Sequence, residues 1–315
     1  MAKPLDFEHP YQHTLEAFDR LSTQARQDKI APRDALKLAG EMLSHGHPDM
    51  LRVTAQLKEN PHRDIVAVGV LLEKIFEQLR RRIHIEGLDR KQLARAYRKD
   101  GYLLFESPQK SGKLLVVFTT IFNNFYISHL NLYGVLKDLG CHLLLLKETT
   151  LANYQRGVAS FASDFPGIAD QICAAARRLG ADQIYLSGFS SSGYAALLTS
   201  LALPCQGYLG FSQNTDLSPH SNLSRPWFLT DEVYWQLDPR WLIDLRPRLA
   251  DADPRIPRIL CYGSRSIMDT EHALNLAGLA SVRLVRLHRS AHNTIQFLLA
   301  KGRLTAAFSA LVADR

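Results

Sequence analysis

From Gly101 onward, short apolar runs alternate with stretches of helical spacing, and this alternation narrows the available folds more than any other feature of the chain. The runs cover residues 102–105, 114–118, 142–146, 184–186, 207–211, 259–262 and 282–287. Between them, residues 126–139, 166–179, 193–203 and 271–279 read as helices. Strands that are apolar throughout are buried on both faces, and parallel neighbours need crossover connections. The expected class is α/β: a mostly parallel sheet with helices on both faces.

Residues 1–100 have a different texture. Apolar positions recur at helical spacing, with breaks at Pro32, Gly46 to Pro48 and Pro61, where proline resists helix continuation. Helices are expected over residues 11–27, 32–44, 48–58 and 63–82. This region is read as a helical appendage, serving as a cap, an oligomerisation surface or a partner-docking bundle, joined to a domain spanning 101–315. Its histidines, His9, His13, His45, His47 and His62, lack acidic or thiol companions at ligand spacing, so no metal site is expected.

The formal charge of +7 invites a polyanion reading, but 31 acidic residues are interspersed with the 38 basic ones. The densest basic cluster, Arg80 to Lys99, reads as a solvated helix face, which argues against nucleic acid as a partner. Four widely spaced cysteines, Cys141, Cys173, Cys205 and Cys261, read as small buried hydrophobes in a reducing compartment. With no signal-like apolar core and no run near the ~20 apolar residues of a membrane span, a cytoplasmic protein is expected.

The chemistry-bearing segment is Ile184 to Leu197, a strand entering a tight turn and then a helix of small and apolar residues. That context lifts a serine hydroxyl above a sheet, provided that the residues two before and two after it are small. Ser190 fits, with Gly188 before it. Ser192 stands where glycine is usual, and Gly193 follows. The alternative frame on Ser191 would place Phe189 at the crowded earlier position. A phosphate-binding loop is the competing reading of such a turn, but the glycine spacing of dinucleotide and P-loop motifs is absent.

A serine hydroxyl needs an imidazole to take its proton during attack and return it to the leaving group. His292, in the loop after the last apolar run, is the expected base, with His288 as its near rival at the strand end, where alternation could bury it. Asp269, after the penultimate run, is the expected orienting acid and completes the chain order Ser, Asp, His. It lies farther past the strand than the usual spacing, where Ser266 stands, so Asp216 remains an alternative acid, with Glu271 behind it. A helix N-cap is the structural reading of Asp269. Backbone N–H groups of Ser191 and Thr120 are the expected oxyanion donors, and residues 123–126 could line the substrate mouth. No cofactor or metal is called for.

With strand, turn and terminal histidine in place, residues 101–315 resemble the α/β-hydrolase superfamily. Within it they are similar to bacterial hydrolase-like proteins of surface-polysaccharide and glycan-modification systems, on the segments 147–157, 188–197 and 210–217 and on His292 with residues 298–299 and 302–304 behind it. The resemblance implies the α/β-hydrolase fold and a serine hydrolase acting on a small-molecule, glycan or lipid-linked ester or thioester, with acyl transfer as a variant. The alternative is a non-catalytic scaffold that keeps the fold and binds a partner through its N-terminal helices.

Overall fold

A computed structural model describes residues 50–80, 99–109, 111–120, 125–148, 153–225, 228 and 232–313. The helices expected over residues 11–27 and 32–44, and nearly all of the basic cluster, lie outside them.

Among the described residues, seven strands form one sheet: β1 (Tyr102–Phe105), β2 (Lys113–Phe118), β3 (His142–Leu146), β4 (Gln183–Phe189), β5 (Gly207–Phe211), β6 (Arg258–Gly263) and β7 (Val282–Leu287). Their order is β1-β3-β2-β4-β5-β6-β7. Six are parallel, and β1 alone runs antiparallel, paired to β3 at the edge. This is the α/β-hydrolase arrangement expected from the sequence.

The helices are α1 (Met50–Lys58), α2 (Arg63–Arg80), α3 (His129–Leu136), α4 (Phe165–Leu179), α5 (Ser190–Thr199), α6 (Leu245–Ala250), α7 (Ile267–Asn275), α8 (Thr294–Ala300) and α9 (Leu304–Val312).

Side chains of successive strand residues point to opposite faces, and the two faces build two cores. On one, Leu115, Val117, Leu143, Leu145, Phe189 and Phe211 pack with residues of α3, α8 and α9. Helices α1 and α2 join this same core through Val53, Leu57, Leu72, Ile75 and Leu79. On the other, Leu114, Val116, Leu144, Ile184, Leu186 and Tyr208 pack against α4, α5 and α6. Cys141, Cys205 and Cys261 are buried, Cys173 is partly so, and all four are free thiols.

Strand order fixes where a site can form. The chain leaves β2 toward β3 on one side and leaves β4 toward β5 on the other, although β2 and β4 are neighbours. Connections that depart in opposite directions open a crevice beyond the carboxyl ends of those strands. Thr120 follows β2 there, and Ser190 follows β4. Among the described residues, no single helix is long and apolar enough to cross a membrane.

Candidate active site

The turn after β4 is built by close approach of backbone. Ser190 has φ 55°, a left-handed conformation that costs free energy in a residue with a side chain. Surrounding contacts hold it there. A Cβ on Gly188 would fall 2.6 Å from Gly193 Cα, and one on Gly193 would fall 2.6 Å from Gln213 Cβ. The tight contact across the turn is therefore glycine on glycine, with the second glycine one residue later than the usual motif places it.

Ser192 is free to carry a side chain and uses it. Its fully buried hydroxyl lies 2.9 Å from the Phe118 carbonyl at the end of β2 and 2.7 Å from the Phe189 carbonyl. It also accepts the Phe189 N–H at 3.3 Å, capping the start of α5.

Ser190 itself is only half-buried. Its Oγ lies 3.2 Å from His292 Nε2, and His292 Nδ1 lies 2.7 Å from Asp269 Oδ1. With Nδ1–H donating to the carboxylate, the Nε2 lone pair faces the serine hydroxyl. The imidazole is 31% exposed and the carboxylate 1%, so the relay runs from a buried anion outward to an accessible hydroxyl. The Phe189 ring stands edge-on to the imidazole, centroids 5.0 Å apart.

The extra distance of Asp269 from its strand now has a cause. Ser266, at the usual position of the acid, caps α7 by accepting the Asp269 N–H at 3.2 Å, which starts the helix early and carries the carboxylate on its first turn. Asp269 is therefore not the cap of this helix.

Burial works against ionising Asp269. The hydrogen bond and charge of His292, with the hydroxyls of Ser212 and Ser266, outweigh it and hold the carboxyl below the usual carboxylate range.

The alternative acid, Asp216, is not brought to His292. Its Oδ1 accepts the Ser218 N–H at 2.8 Å and the Ser218 hydroxyl at 2.7 Å, an Asx turn that uses the carboxylate locally. Glu271 is exposed on α7. His288 makes none of the contacts of His292, and it is exposed rather than buried, because β7 is an edge strand whose Arg283 and Arg286 also face solvent.

Ser191 lies in the first turn of α5, where backbone N–H groups have no intrahelical acceptor. Thr120 is buried just past β2, at the opposite wall of the crevice, and residues 121–124 of that loop lie outside the described residues.

Two supports of the site, Ser212 and His272, escaped the sequence reading, and a third, Tyr126, was expected there as part of the substrate mouth. Ser212, left-handed at φ 42°, lies directly after β5, and its hydroxyl is 3.0 Å from that of Thr294, two residues past His292. Tyr126 packs on Phe189 with ring centroids 4.7 Å apart, and the Gln296 side chain donates to its carbonyl at 3.1 Å. His272, one turn beyond Asp269 on α7, accepts the Thr215 N–H at Nδ1, 3.1 Å away, while the Thr215 hydroxyl donates to the His272 carbonyl at 2.7 Å. The advance sign for Ser212 was its position directly after an apolar run. No group of His, Cys, Asp and Glu able to hold a metal occurs among the described residues.

No protein-family model matches the chain, and no curated protein matches it in sequence. Among solved structures it is similar to MenH from S. aureus, at 12% identity and a TM-score of 0.48 over 66% of this chain and 97% of that one. Carboxyl esterase 2 of the fungus Tuber melanosporum gives 14% and 0.47 over 66% and 79%. An esterase of the archaeon Pyrobaculum calidifontis gives 14% and 0.47 over 83% and 96%. At such identities the functional reading rests on the geometry of the site itself.

Proposed function

We propose that the chain is a serine hydrolase of carboxylic esters or thioesters that works through an acyl-Ser190 intermediate. The observation that carries this reading is the continuous relay from the half-buried Ser190 hydroxyl through His292 to the buried Asp269, with 3.2 and 2.7 Å steps. Unlike a structural hydrogen-bond chain, this relay ends on a strained residue at the mouth of the sheet crevice.

In the first half-reaction Ser190 Oγ forms a bond to the carbonyl carbon while its proton passes to His292 Nε2. Asp269 stabilises the resulting imidazolium through Nδ1–H. The carbonyl electron pair moves onto oxygen, where the backbone N–H groups of Ser191 and Thr120 receive it. Collapse breaks the bond to the leaving alcohol or thiol, which takes the proton from Nε2. Water then attacks the acyl-serine, giving its proton to His292, and the acid departs with Ser190 restored. An acceptor alcohol in place of water would give acyl transfer by the same steps.

The substrate class suggested by the sequence resemblance, an ester on a carbohydrate or a lipid-linked glycan, is the first to screen once generic activity is in hand. That activity is tested by hydrolysis of p-nitrophenyl acetate. Wild-type protein is expected to turn it over and Ser190→Ala to do so no faster than the protein-free blank. Equal turnover by the two proteins would remove Ser190 from the mechanism.

A further inference from the structure

After β3 the chain returns to the carboxyl ends of β2 and β3 at Tyr154, whose fully buried ring stands edge-on to Phe118, centroids 5.0 Å apart. Two successive residues there take a left-handed backbone, Asn153 at φ 49° and Tyr154 at φ 64°. Asparagine tolerates that conformation, but for tyrosine it is costly. Local hydrogen bonds hold it. The buried Glu148 carboxylate accepts the Tyr154 N–H at 3.0 Å, and the Tyr154 carbonyl accepts the Gly157 N–H at 2.9 Å.

This backbone aims the phenol at two carbonyls. The Tyr154 hydroxyl lies 2.8 Å from the Thr119 oxygen and 2.9 Å from the Leu146 oxygen, and its single proton is shared between them. Leu146 does not depend on it, since its carbonyl also accepts the Thr119 N–H at 3.0 Å and the Thr119 hydroxyl at 2.8 Å. For Thr119 the bond has a further consequence. Its carbonyl belongs to the same planar unit as the Thr120 N–H, and in a trans peptide the two point in opposite directions. A donor fixed on that oxygen therefore fixes the direction of the Thr120 N–H. It also polarises the amide, making the N–H a stronger donor. A fixed, polarised N–H is what a developing oxyanion needs.

We propose that Tyr154 is a positioning residue of the oxyanion hole, its hydroxyl holding the peptide between Thr119 and Thr120 so that the Thr120 N–H faces the oxyanion. The inference rests on the hydrolase reading of Ser190. Tyr154 touches no substrate and acts only through that peptide.

Tyr194 provides the matched control. It is buried on α5, and its hydroxyl also bridges two carbonyls, those of Trp241 at 2.8 Å and Ile243 at 3.0 Å, neither of which adjoins a proposed oxyanion donor. Wild type, Tyr154→Phe and Tyr194→Phe are compared in p-nitrophenyl acetate kinetics, in urea unfolding and in inhibition by 2,2,2-trifluoroacetophenone, whose adduct with a serine hydroxyl is a tetrahedral oxyanion. Tyr154→Phe is expected to lower kcat about tenfold or more, to leave KM within about twofold, and to raise the inhibitor Ki about as much as kcat falls. Tyr194→Phe is expected to lose comparable stability and keep wild-type kcat and Ki. With 4-aminophenylalanine at position 154, which restores a donor on the same ring, kcat is expected to recover. Wild-type kcat in Tyr154→Phe, equal loss in both phenylalanine variants, an unchanged Ki, or no recovery with the restored donor overturns the inference while the hydrolase reading stands. Wild-type protein without Ser190-dependent turnover overturns that reading, and the inference with it.

Discussion

Gly188 and Gly193 touch across the turn that carries Ser190, so closely that a Cβ on Gly188 would come within 2.6 Å of the Gly193 Cα and 2.7 Å of the Ser192 carbonyl oxygen. Both obstacles are backbone and cannot swing aside. Gly188→Ala should destabilise the fold by about 1–3 kcal/mol, the usual cost of overpacking. It should also lower Ser190 reactivity, because the strained turn must open to admit the methyl group. Urea unfolding followed by circular dichroism measures the first effect, and p-nitrophenyl acetate turnover the second.

Ser192 differs from both glycines because its hydroxyl is engaged with the ends of β2 and β4. Ser192→Ala should cost about 1 kcal/mol, the net worth of a buried hydrogen bond, and leave Ser190 reactive. Gly193→Ala should cost more, since its Cβ would press on Gln213. The reverse ranking in urea midpoints would mean that the tight contact lies at Ser192 after all.

Asp269 and Asp216 were both open as the orienting acid, and their contacts now distinguish them. Asp269→Asn should lower kcat on p-nitrophenyl acetate by about 10³–10⁴-fold, since an amide favours the wrong imidazole tautomer. Asp216→Asn should leave kcat near wild type, because its carboxylate serves a turn at Ser218. A larger loss in Asp216→Asn than in Asp269→Asn would reverse the assignment.

His272 gives a pH dependence of stability. Burial lowers its pKa to about 4, with His292 adding to the effect and Asp216 and Asp269 opposing it. In the unfolded chain it titrates near its ordinary value of 6.5. Between those values the unfolded state binds more protons than the folded one, so stability falls as pH drops through the window from 6.5 to 4. The loss attributable to His272 is on the order of 3 kcal/mol. His129, also lowered to about 4 by burial and by Lys147, adds in the same direction. Urea midpoints at pH 7 and pH 5 should show a smaller drop for His272→Asn, whose amide oxygen can still accept the Thr215 N–H. An equal drop in variant and wild type would assign the dependence elsewhere.

Strands β2 and β3 were most legible, because they are buried on both faces and spell themselves as nearly unbroken Leu, Val and Phe, whereas the edge strand β7 carries exposed Arg283 and Arg286. Helix starts were less so. Residues 271–279 read as a helix by apolar spacing, whereas α7 begins at Ile267, since Ile267 and Met268 are 77% and 39% exposed and do not follow the burial pattern. Similarly α5 starts at Ser190 rather than at residue 193, because a hydroxyl at Ser192 caps it and polar residues fill its first turn. The direction of β1 was hidden, since residue pattern encodes burial and not strand polarity.

In the proposed site, Ser190, Asp269 and His292 could be named from the sequence because the chemistry restricts residue type at each position. Ser212 and His272 could not, because their roles come from contacts between segments far apart in sequence. The left-handed backbone of Ser212 has no residue signature of its own.

The central claim is that Ser190 is an activated, accessible nucleophile. A fluorophosphonate probe tests it directly, because the probe phosphonylates a serine, with loss of fluoride, only when a base takes its proton and the hydroxyl can be reached. The account predicts stoichiometric labelling of wild-type protein, mapping to the peptide that contains Ser190, absent in Ser190→Ala and greatly slowed in His292→Ala. Folded wild-type protein that stays unlabelled, or labelling that maps to another serine, would contradict it.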